Sequence, residues 1–598
     1  MSTSPRSQHA LNVSRRTFVG SGLAVAAGAG LATAPSTANA AGKDRASWIN
    51  ATMAKMTTEQ LVGQLFVMHV YGSDADVADQ RNVPDYGVAK PSEVVEKYRL
   101  GGVIYFAWAG NLPTAVQCAK LSNGLQKASL TPRRREAQVP LTISTDQETG
   151  IVVRLPAEAT LFPGAMSLGA GRDTQLTTDT YAITGTELRA LGINVDYAPD
   201  ADVNVNPANP VIGVRSFSSN PQLVADHVAA GVAGLQSAKV SACAKHFPGH
   251  GDTDVDSHTG FPVITHTRQE WEEIDAPPFR AAIDMGIDSI MTAHLAVPAL
   301  DPSGDPATLS KPILTGVLRD ELGYDGVVVT DSLGMAGVRE KYGDAEVAVK
   351  AIEAGVDVLL NSPAADVQWN AVLNAVRTGR ISKRRLETSV RRILGMKYDR
   401  GLHESPYVDV DKVSSVIGAA DHQARAQQAG DRAVTLLVDD AGLVPLPQKT
   451  AYVTGAGDSS VAALAAGLTA AGITTTSQGT GTSPTARQIS QAVVASARAS
   501  ATIVLTNNVN AAQKSLITTL IDAGRKVIVV AVRNPYDINQ LPGVGSYLAT
   551  YSSTPVAMKG VARVLAGTIP AAGRLPVDIP AADDPTKTLY PYGAGLDR

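Results

Sequence analysis

The chain has 598 residues, which at roughly 100 to 200 residues per domain predicts more than one domain and excludes a single small binding module. Hydrophobic residues make up 44% of it and charged residues 18%, so the composition supports large packed cores and excludes wholesale disorder. The net charge of −4 gives no attraction to a nucleic acid. Two cysteines, Cys118 and Cys243, are too few for a disulfide framework, and we expect both to be structural thiols.

The first 40 residues have the pattern of a twin-arginine export signal. Ser14-Arg15-Arg16-Thr17-Phe18-Val19 is followed by a weakly apolar Gly/Ala/Leu stretch and by Ala38-Asn39-Ala40, a small-residue cleavage site. This pattern predicts a signal peptide at residues 1–40 and a secreted protein. A membrane anchor is the alternative, but the stretch is shorter than the roughly 20 apolar residues that a span needs. No later segment of the sequence approaches that length, so we predict no membrane span in the mature chain.

From about residue 58, short β-branched or apolar runs alternate with longer segments of helical periodicity, which is typical of βα units around a parallel sheet. We predict eight strands, at Gln64–Val70, Gly102–Phe106, Leu141–Thr145, Ile193–Ala198, Val240–Ala244, Asp288–Thr292, Gly326–Thr330 and Val356–Asn361. Their starts lie 30 to 52 residues apart, which leaves room for a helix and loops in each unit. Eight such units predict an α/β fold, a (β/α)8 TIM-type barrel over residues 41–398.

Polar residues at the strand ends favour the barrel over the alternative, an open doubly wound sheet. Asp146, Lys245, His294 and Asp331 each come just after a different predicted strand. A barrel brings the carboxyl ends of all its strands to one face, where the active sites of this fold are built. The sequence therefore predicts a functional site on that face.

A second, smaller α/β domain is predicted after the barrel. The helical segment Lys383–Lys397 ends the barrel, and the polar, aperiodic stretch that follows predicts a linker at 399–425. Apolar runs separated by helix-length segments then predict a C-terminal α/β sandwich domain at 426–598; they are Ala433–Val438, Ala451–Thr454, Ala501–Thr506, Lys526–Val532 and Tyr547–Tyr551. Gly455-Ala456-Gly457 lacks the third glycine of the dinucleotide fingerprint, so we expect a turn there.

The densest polar segment is Lys245–His258, which begins at the end of the fifth predicted strand. Its three histidines, three aspartates and one lysine are broken by Pro and Gly, as in a loop over the mouth of a barrel. One interpretation is a zinc site that uses His246, His250 and His258. The other is a loop that carries catalytic groups to the barrel mouth.

The segment Gly326–Met335 is a buried strand that delivers Asp331 to the same face. A carboxylate there can act as a nucleophile, a general base or a ligand-binding group. Together with Asp256 and His258 on the loop after another strand, it gives a nucleophile facing a proton donor. Retaining glycoside hydrolysis requires these two groups.

These segments together resemble glycoside hydrolase family 3, and within it the β-N-acetylglucosaminidase subgroup, which has an Asp–His acid/base dyad. The resemblance runs in order over residues 55–400, and Arg432–Leu446 resembles the entry to the second domain of the family's two-domain form. It rests on four motifs: Lys245–Gly251 with Asp256-Ser257-His258, Asp146–Gly150, Ile212–Ser218 and Thr330–Met335.

The resemblance implies a role for each matched residue. Asp331 matches the nucleophile that forms a covalent glycosyl-enzyme, and His258 matches the acid/base, with Asp256 as its partner. The residues that match those holding the sugar, or lie next to them, are Asp146, Arg154, Arg215, Lys245 and His246. No metal and no organic cofactor are implied. Thr149 stands where the family often has Gly, and Ser332 where the subgroup often has Asp, which could reshape the pocket.

Elementary electrostatics agrees with these roles. Asp331 must be ionised to attack the anomeric carbon, and we expect Lys245 and Arg215 to keep its pKa low. A histidine, whose ordinary pKa is about 6.5, can donate a proton to a leaving oxygen and then accept one from water. Asp256, two residues before His258, can fix the tautomer of the ring and favour its cation.

The expected function is a secreted, retaining exo-β-N-acetylglucosaminidase acting on chitin- or peptidoglycan-derived oligosaccharides, so the expected partner is a carbohydrate. A β-N-acetylglucosaminide phosphorylase or a β-glucosidase of the same family is the alternative, because a histidine donor does not repel an incoming phosphate. Export favours water, since a sugar phosphate is useful only inside a cell. A carbohydrate-binding protein without activity is disfavoured because every expected reacting residue is present.

Overall fold

The computed structural model describes residues 37–598 except 132, 134, 135 and 340. The twin-arginine motif and the apolar stretch expected to follow it therefore lie outside the described residues, while the predicted cleavage site falls in helix α1 (Thr37–Met53). Residues 48–598 form one compact unit, which contains the features described below. Among the described helices, none has the length and apolar character needed to cross a membrane.

Eight short parallel strands form a barrel in the described part of the chain: β1 (Phe66–His69), β2 (Gly102–Ile104), β3 (Thr142–Thr145), β4 (Val195–Asp196), β5 (Cys243–Phe247), β6 (Ser289–Thr292), β7 (Val327–Thr330) and β8 (Leu359–Leu360). Their hydrogen bonds give the orders β4-β3-β2-β1-β8 and β5-β6-β7. Parallel bridges from Val195 to Ser241 and from Val329 to Val358 join the two groups into a ring. Each strand overlaps its predicted segment, and the TIM-type barrel is confirmed.

Helices and short helical turns follow the strands and cover the outside of the barrel. The α-helices are α2 (Thr58–Gly63), α3 (Asn82–Tyr86), α4 (Pro91–Tyr98), α5 (Ala115–Leu130), α6 (Ala165–Gly171), α7 (Thr174–Ala190), α8 (Pro221–Ser237), α9 (Arg268–Glu270), α10 (Ala276–Asp284), α11 (Ala336–Arg339), α12 (Asp344–Ala354), α13 (Ala365–Arg377) and α14 (Lys383–Asp399). The remaining turns are π-helical at Trp271–Asp275 and Pro312–Glu321 and 3₁₀ at Gly213–Arg215 and Ala307–Leu309. Side-chain caps start several of the long helices; Asp173, for example, accepts from the Leu176 N–H at the start of α7.

Two details differ from the sequence prediction. Strand β5 continues to Phe247, so Lys245 and His246 lie within the strand, at an irregularity in its pairing with β6 between Ala244 and Phe247. The stretch predicted as a linker contains a 3₁₀ turn (Val410–Lys412), α15 (Val413–Val416) and the start of α16 (Ala420–Ala433), which crosses the boundary drawn at residue 426. Small buried residues allow α16 to pack closely against α6. The exposed face of α16 is polar, so its sequence contains no apolar run that would have predicted a buried helix.

The second domain is built on a six-stranded sheet of order β11-β10-β12-β13-β14-β9, in which only β9 runs antiparallel to its neighbour within the described chain. Its strands are β9 (Thr435–Asp439), β10 (Thr450–Gly455), β11 (Thr474–Gly479), β12 (Ala501–Thr506), β13 (Val527–Ala531) and β14 (Ser546–Ala549), and a separate hairpin is formed by β15 (Ile579–Pro580) and β16 (Thr588–Tyr590). Its helices are α17 (Asp458–Ala470), α18 (Ala486–Ala495), α19 (Ala511–Asp522) and α20 (Pro555–Leu565), with 3₁₀ turns at Ser496–Arg498 and Pro535–Gln540. Separate apolar cores on the two faces of the sheet make this an α/β sandwich.

The second domain packs directly on the barrel. One of its two cores includes Met166, Ala170 and Val214 from the barrel side. Across the same contact, the Ser167 hydroxyl donates to the Thr550 carbonyl at 2.9 Å. This packing places loops of the second domain beside the segment that follows β4, at the mouth of the barrel.

Candidate active site

A cavity of about 330 Å³, lined by both charged and apolar side chains, opens at the carboxyl ends of the barrel strands. Seven of the eight residues predicted for the site line it: Asp146, Arg154, Arg215, Lys245, His246, His258 and Asp331. The eighth, Asp256, lies behind the lining and contacts His258. The barrel thus brings together side chains from the carboxyl ends of four different strands, β3, β4, β5 and β7.

Asp331 comes directly after β7, and hydrogen bonds to backbone groups of other residues hold both its N–H and its carboxylate. Its N–H donates to the Thr292 carbonyl at 3.1 Å, and its Oδ1 accepts from the Ser332 N–H at 2.6 Å. Burial opposes ionisation, but His246, His294, the Ser332 N–H and Lys245 together hold the pKa of Asp331 below its ordinary value. The carboxylate is therefore ionised at neutral pH and available as a nucleophile.

We expected Lys245 and Arg215 to lower the pKa of Asp331, but of these two only Lys245 is among the main groups that do so. Arg215 is paired instead with Glu148, through Nη2 to Oε1 at 2.7 Å and Nε to Oε2 at 2.8 Å. The imidazoles of His246 and His294 contribute more to the low pKa of Asp331 than Lys245 does. His294, which the sequence already places at a strand end, thus acts on Asp331 from the neighbouring strand β6.

Glu148 is the centre of a buried charge network. Lys245 Nζ lies 2.7 Å from Glu148 Oε1 and donates to Asp146 Oδ1 at 3.0 Å. Burial opposes the negative charge, but Arg215 and Lys245 hold the pKa of Glu148 well below its usual range. These bonds orient two cations and leave Asp146 at the cavity wall, an arrangement suited to binding sugar hydroxyls in a fixed geometry.

His246 is oriented by a buried carboxylate. Its Nδ1 lies 2.7 Å from Asp202 Oδ2, and Asp202 Oδ1 accepts from the backbone N–H groups of His246 and His250 at 3.1 and 2.7 Å. Burial opposes ionisation of Asp202, but its contacts with His246 and His250 lower the pKa of its carboxyl. With Nδ1 engaged, the Nε2 of His246 is left to face Arg215 at 3.4 Å and the cavity.

One of the three histidines of the predicted zinc alternative, His250, has both of its ring nitrogens directed elsewhere. His250 uses both ring nitrogens, one towards the Thr253 hydroxyl at 3.0 Å and one towards the Ser257 hydroxyl at 2.9 Å. Over the described residues, the one group with metal-ligand spacing is Asp200, Asp202 and His246. In that group the Asp202–His246 hydrogen bond occupies the nitrogen that a metal would need, so the three side chains fit a hydrogen-bonded network better than a metal site.

His258 and Asp256 form a pair on the loop after β5. Asp256 Oδ1 accepts from the His258 backbone N–H at 2.8 Å and lies 2.7 Å from its Nδ1, so Nε2 is the free nitrogen. Partial burial opposes ionisation of Asp256, but the hydrogen bonds from His258 lower its pKa. The His258 side chain is 60% exposed. Its neighbour Ser257 is buried against His250, which anchors the loop at this point.

The cavity lining includes residues that had no role assigned from sequence, among them Glu148, Trp108 and Asn361. Glu148 belongs to one of the recognised motifs, and its two-residue spacing from Asp146 was the available signal. Trp108 is 55% exposed and stacks on Phe106 with ring centroids 4.9 Å apart, which leaves an aromatic face at the cavity rim. Asn361 ends the eighth predicted strand, but an amide at a strand end gives no specific chemical signal.

The family comparison agrees with this architecture. Residues 57–396 match the model described as Glycosyl hydrolase family 3 N terminal domain, and residues 434–598 match Glycosyl hydrolase family 3 C-terminal domain. The chain belongs to glycoside hydrolase family 3. This confirms the resemblance to the family that was drawn from the four motifs, and it makes the protein a glycoside hydrolase.

Relatives of this family 3 chain extend over both of its domains. It is 38% identical over 424 residues to "Beta-hexosaminidase A" of Pseudoalteromonas piscicida, which covers 66% of this chain and 69% of that protein. It is 29% identical over 577 residues to "Beta-N-acetylglucosaminidase/beta-glucosidase" of Cellulomonas fimi, covering 90% and 96%. A solved structure of a family 3 beta-N-acetylglucosaminidase from Paenibacillus sp. str. FPU-7 has a TM-score of 0.79 and 37% identity, covering 87% of this chain and 99% of that one.

The two departures from the family 3 pattern have visible local consequences. Thr149 has φ of 72°, in the left-handed region that a β-branched residue rarely adopts, which explains why glycine is common there. Ser332 accepts a hydrogen bond from Asn361 Nδ2 at 3.0 Å, and Asn361 Oδ1 lies 2.6 Å from His69 Nδ1. At this edge of the cavity a hydroxyl, that of Ser332, thus stands in place of the carboxylate and accepts from the Asn361 amide.

Proposed function

We propose that this glycoside hydrolase is a retaining exo-β-N-acetylglucosaminidase that releases terminal β-linked N-acetylglucosamine from chitin- or peptidoglycan-derived oligosaccharides. The observation that carries the proposal is one pocket with a low-pKa carboxylate, Asp331, and a separate histidine–carboxylate pair, His258 and Asp256. Relatives named beta-hexosaminidase and beta-N-acetylglucosaminidase support the same substrate class. The pattern at Arg15-Arg16 supports action outside the cell, which an activity assay of the culture medium would check.

In the first step, the Asp331 carboxylate attacks the anomeric carbon as the bond from that carbon to the leaving oxygen breaks. The leaving oxygen takes a proton from Nε2 of the His258 imidazolium, which becomes neutral. The products are a covalent glycosyl-enzyme and a neutral alcohol. Asp256 holds Nδ1 during this step, so that Nε2 carries the transferred proton.

In the second step, the neutral imidazole of His258 takes a proton from a water molecule as that water attacks the anomeric carbon. The bond to Asp331 breaks, and its carboxylate is regenerated along with the imidazolium. Two displacements at the same carbon retain the β configuration. Because the proton acceptor is neutral, an anion can approach the same carbon, and phosphorolysis is the competing outcome for the experiment below.

Binding of one terminal sugar is supported by the size and lining of the cavity. A volume of about 330 Å³ is near the lower end of ligand pockets, which span roughly 300 to 1,000 Å³. Asp146, Lys245 and the Arg215–Glu148 pair provide charged donors and acceptors for hydroxyl groups. Arg154 also lines the cavity and is held by its backbone N–H, which donates to Gln147 Oε1 at 2.8 Å.

The proposal is tested with p-nitrophenyl β-glycosides of N-acetylglucosamine, glucose and xylose, each assayed with and without phosphate. We expect the N-acetylglucosaminide to have the highest kcat/KM and the released sugar to be free N-acetylglucosamine. A higher kcat/KM for the glucoside would reassign the enzyme as a β-glucosidase. A sugar 1-phosphate as the main product in phosphate buffer would make it a phosphorylase.

The Asp256–His258 pair predicts a specific change in pH dependence. We expect Asp256→Asn to move the basic limb of the kcat/KM profile to lower pH, because the ring loses the negative charge that stabilises its cation. The acidic limb should stay in place, since the pKa of Asp331 is lowered by other groups, His246 and His294 among them. Asp254→Asn, an exposed carboxylate on the same loop, is the control. An unmoved basic limb, with activity restored by Zn²⁺, would favour a metal role for Asp256 instead.

A further inference from the structure

The proposed proton donor lies on a loop, residues 248–266, that runs from the end of β5 to just before α9. We call residues 248–252 the outgoing arm of this loop and residues 262–266 its returning arm. Asp256 and His258 lie between the two arms, and both side chains are exposed to solvent, so burial does not hold them in place. The position of this pair over the cavity therefore depends on what anchors the loop around it.

Each arm is attached to the barrel by its own hydrogen bond. The indole N–H of the buried Trp271 donates to the Pro248 carbonyl in the outgoing arm at 2.9 Å. In the returning arm, the Ile264 N–H donates to the Ala296 carbonyl at 2.9 Å. These two bonds fix the arms separately, and neither bond links one arm to the other.

His266 links the two arms through its imidazole ring. Its Nδ1 lies 2.7 Å from Oδ2 of Asp275, which belongs to the π-helical turn beyond the loop, and its Nε2 lies 3.1 Å from Oδ2 of Asp252 in the outgoing arm. Asp275 is buried, and its Oδ1 has no hydrogen-bond partner within the described part of the chain. That oxygen lies against Gly249, where a Cβ would come within 2.6 Å of it. The ring thus connects a buried carboxylate of the barrel to a partly exposed carboxylate of the loop.

This bridge is made by charged groups. Hydrogen bonds to Asp252 and Asp275 raise the pKa of His266 to about 10, so the ring is a cation at neutral pH. Burial raises the pKa of Asp275 to about 6, which is still below neutral pH. Two more carboxylates add negative charge around the bridge, since Asp202 interacts with Asp275 and Glu270 with His266. A cation with a carboxylate at each ring nitrogen makes two charge-assisted hydrogen bonds, the stronger class of such bonds.

We propose that His266 is a positioning residue for the reaction: by bridging Asp252 and Asp275, it holds the loop so that the acid/base pair stays over the cavity. The inference rests on the proposed function, because it takes His258 as the group that protonates the leaving oxygen. A proton donor must lie roughly 2.6 to 3.2 Å from the atom it protonates, and a displacement of about 1 Å can lower a rate on the order of 10²-fold. Loss of the bridge should therefore weaken protonation and leave Asp331, which other contacts hold, in place.

The test removes the exposed partner of the bridge with Asp252→Ala. The Asp252 side chain is 31% exposed, so its removal should leave the fold intact, whereas His266→Ala would leave the buried Asp275 without its cation. We expect Asp252→Ala to lower kcat/KM about ten- to a hundredfold for an alkyl N-acetylglucosaminide and less than about threefold for a dinitrophenyl N-acetylglucosaminide. Asp252→Asn, whose amide oxygen can still accept from His266, should retain part of the activity on the alkyl glycoside. Asp254→Ala removes an exposed carboxylate two residues further on and is the matched control.

A double mutant separates positioning from a general structural effect. In the His258→Ala background, Asp252→Ala should have no further effect on the alkyl glycoside, because no proton donor is left to position. The proposal would be overturned by an equal loss in both backgrounds, by equal losses on the two glycosides, or by an unchanged kcat/KM in Asp252→Ala.

Failure of the proposed function would appear separately, either as no cleavage of p-nitrophenyl β-N-acetylglucosaminide by the wild type or as equal losses for good and poor leaving groups in His258→Ala. In that case the bridge is tested by hydrogen exchange of the full chain. Backbone amides of residues 253–261 should exchange faster in Asp252→Ala than in the wild type and in Asp254→Ala, which would support the anchoring of the loop by His266. Unchanged exchange in this segment would overturn it.

Discussion

Replacing Asp331 by glycine is expected to lower kcat on the order of 10⁴- to 10⁶-fold, with little effect on thermal unfolding. The substitution removes the group proposed to form the covalent bond to the anomeric carbon. The backbone at this position is held by the Asp331 N–H to the Thr292 carbonyl, a bond that glycine keeps. Steady-state kinetics on an aryl N-acetylglucosaminide, with circular dichroism melting of both proteins, measures the two effects.

Azide distinguishes a missing nucleophile from a general loss of activity. A small anion can enter the space left by the Asp331 side chain and attack the β-glycoside from the opposite face, so the product should be the α-glycosyl azide. The matched control is Asp325→Gly, an exposed carboxylate just before the other end of β7, which should keep near wild-type rates. Wild-type rates in Asp331→Gly would rule out this residue as the nucleophile.

Much of the barrel could be predicted because each of its strands is a short apolar run with a helix-length segment behind it. The same logic located Asp146, His294 and Asp331, since a polar residue directly after a buried run has to lie at the barrel mouth. In the second domain it failed for β11, whose sequence Thr474–Gly479 is polar. That strand lies at the edge of the sheet with most of its side chains exposed, so nothing in its environment requires apolar residues.

The electrostatics of the site could be predicted less completely. Counting nearby cations suggested that Arg215 acts on Asp331, but Glu148 is buried beside Arg215 and neutralises it. Which of two acids pairs with which cation depends on distances of a few ångströms between different strands, and a sequence does not contain them. Likewise, the Asp202 carboxylate that orients His246 precedes it by 44 residues, in the segment after β4.

The fold also explains why both domains matter for one site. The segment after β4 carries Arg215 towards the active-site cavity and Gly213 against Asn534 of the second domain. A change in how the two domains pack would therefore move Arg215, which lines the active-site cavity. Under the proposed function, the barrel supplies the reacting groups, and the domain interface helps to hold the segment after β4 that forms part of the cavity wall.

Replacing His258 by alanine is expected to have the second large effect on activity. We expect His258→Ala to lower kcat/KM roughly 10²- to 10⁴-fold for a disaccharide or an alkyl glycoside. For a dinitrophenyl glycoside the loss should be within about tenfold, because that leaving group departs as a stable anion without a proton. The His258 side chain is 60% exposed, so its removal leaves no internal void and should not change the unfolding temperature.

A series of aryl glycosides makes this prediction quantitative. In the wild type, log kcat/KM should depend weakly on the pKa of the leaving phenol, because protonation by His258 offsets the charge on the leaving oxygen. In His258→Ala the dependence should become steep. Asp254→Ala on the same loop, a residue outside the cavity lining, should keep the weak dependence. Equal losses for good and poor leaving groups would instead mean that His258 positions the sugar, and the proton donor would then have to be sought elsewhere among the groups lining the cavity.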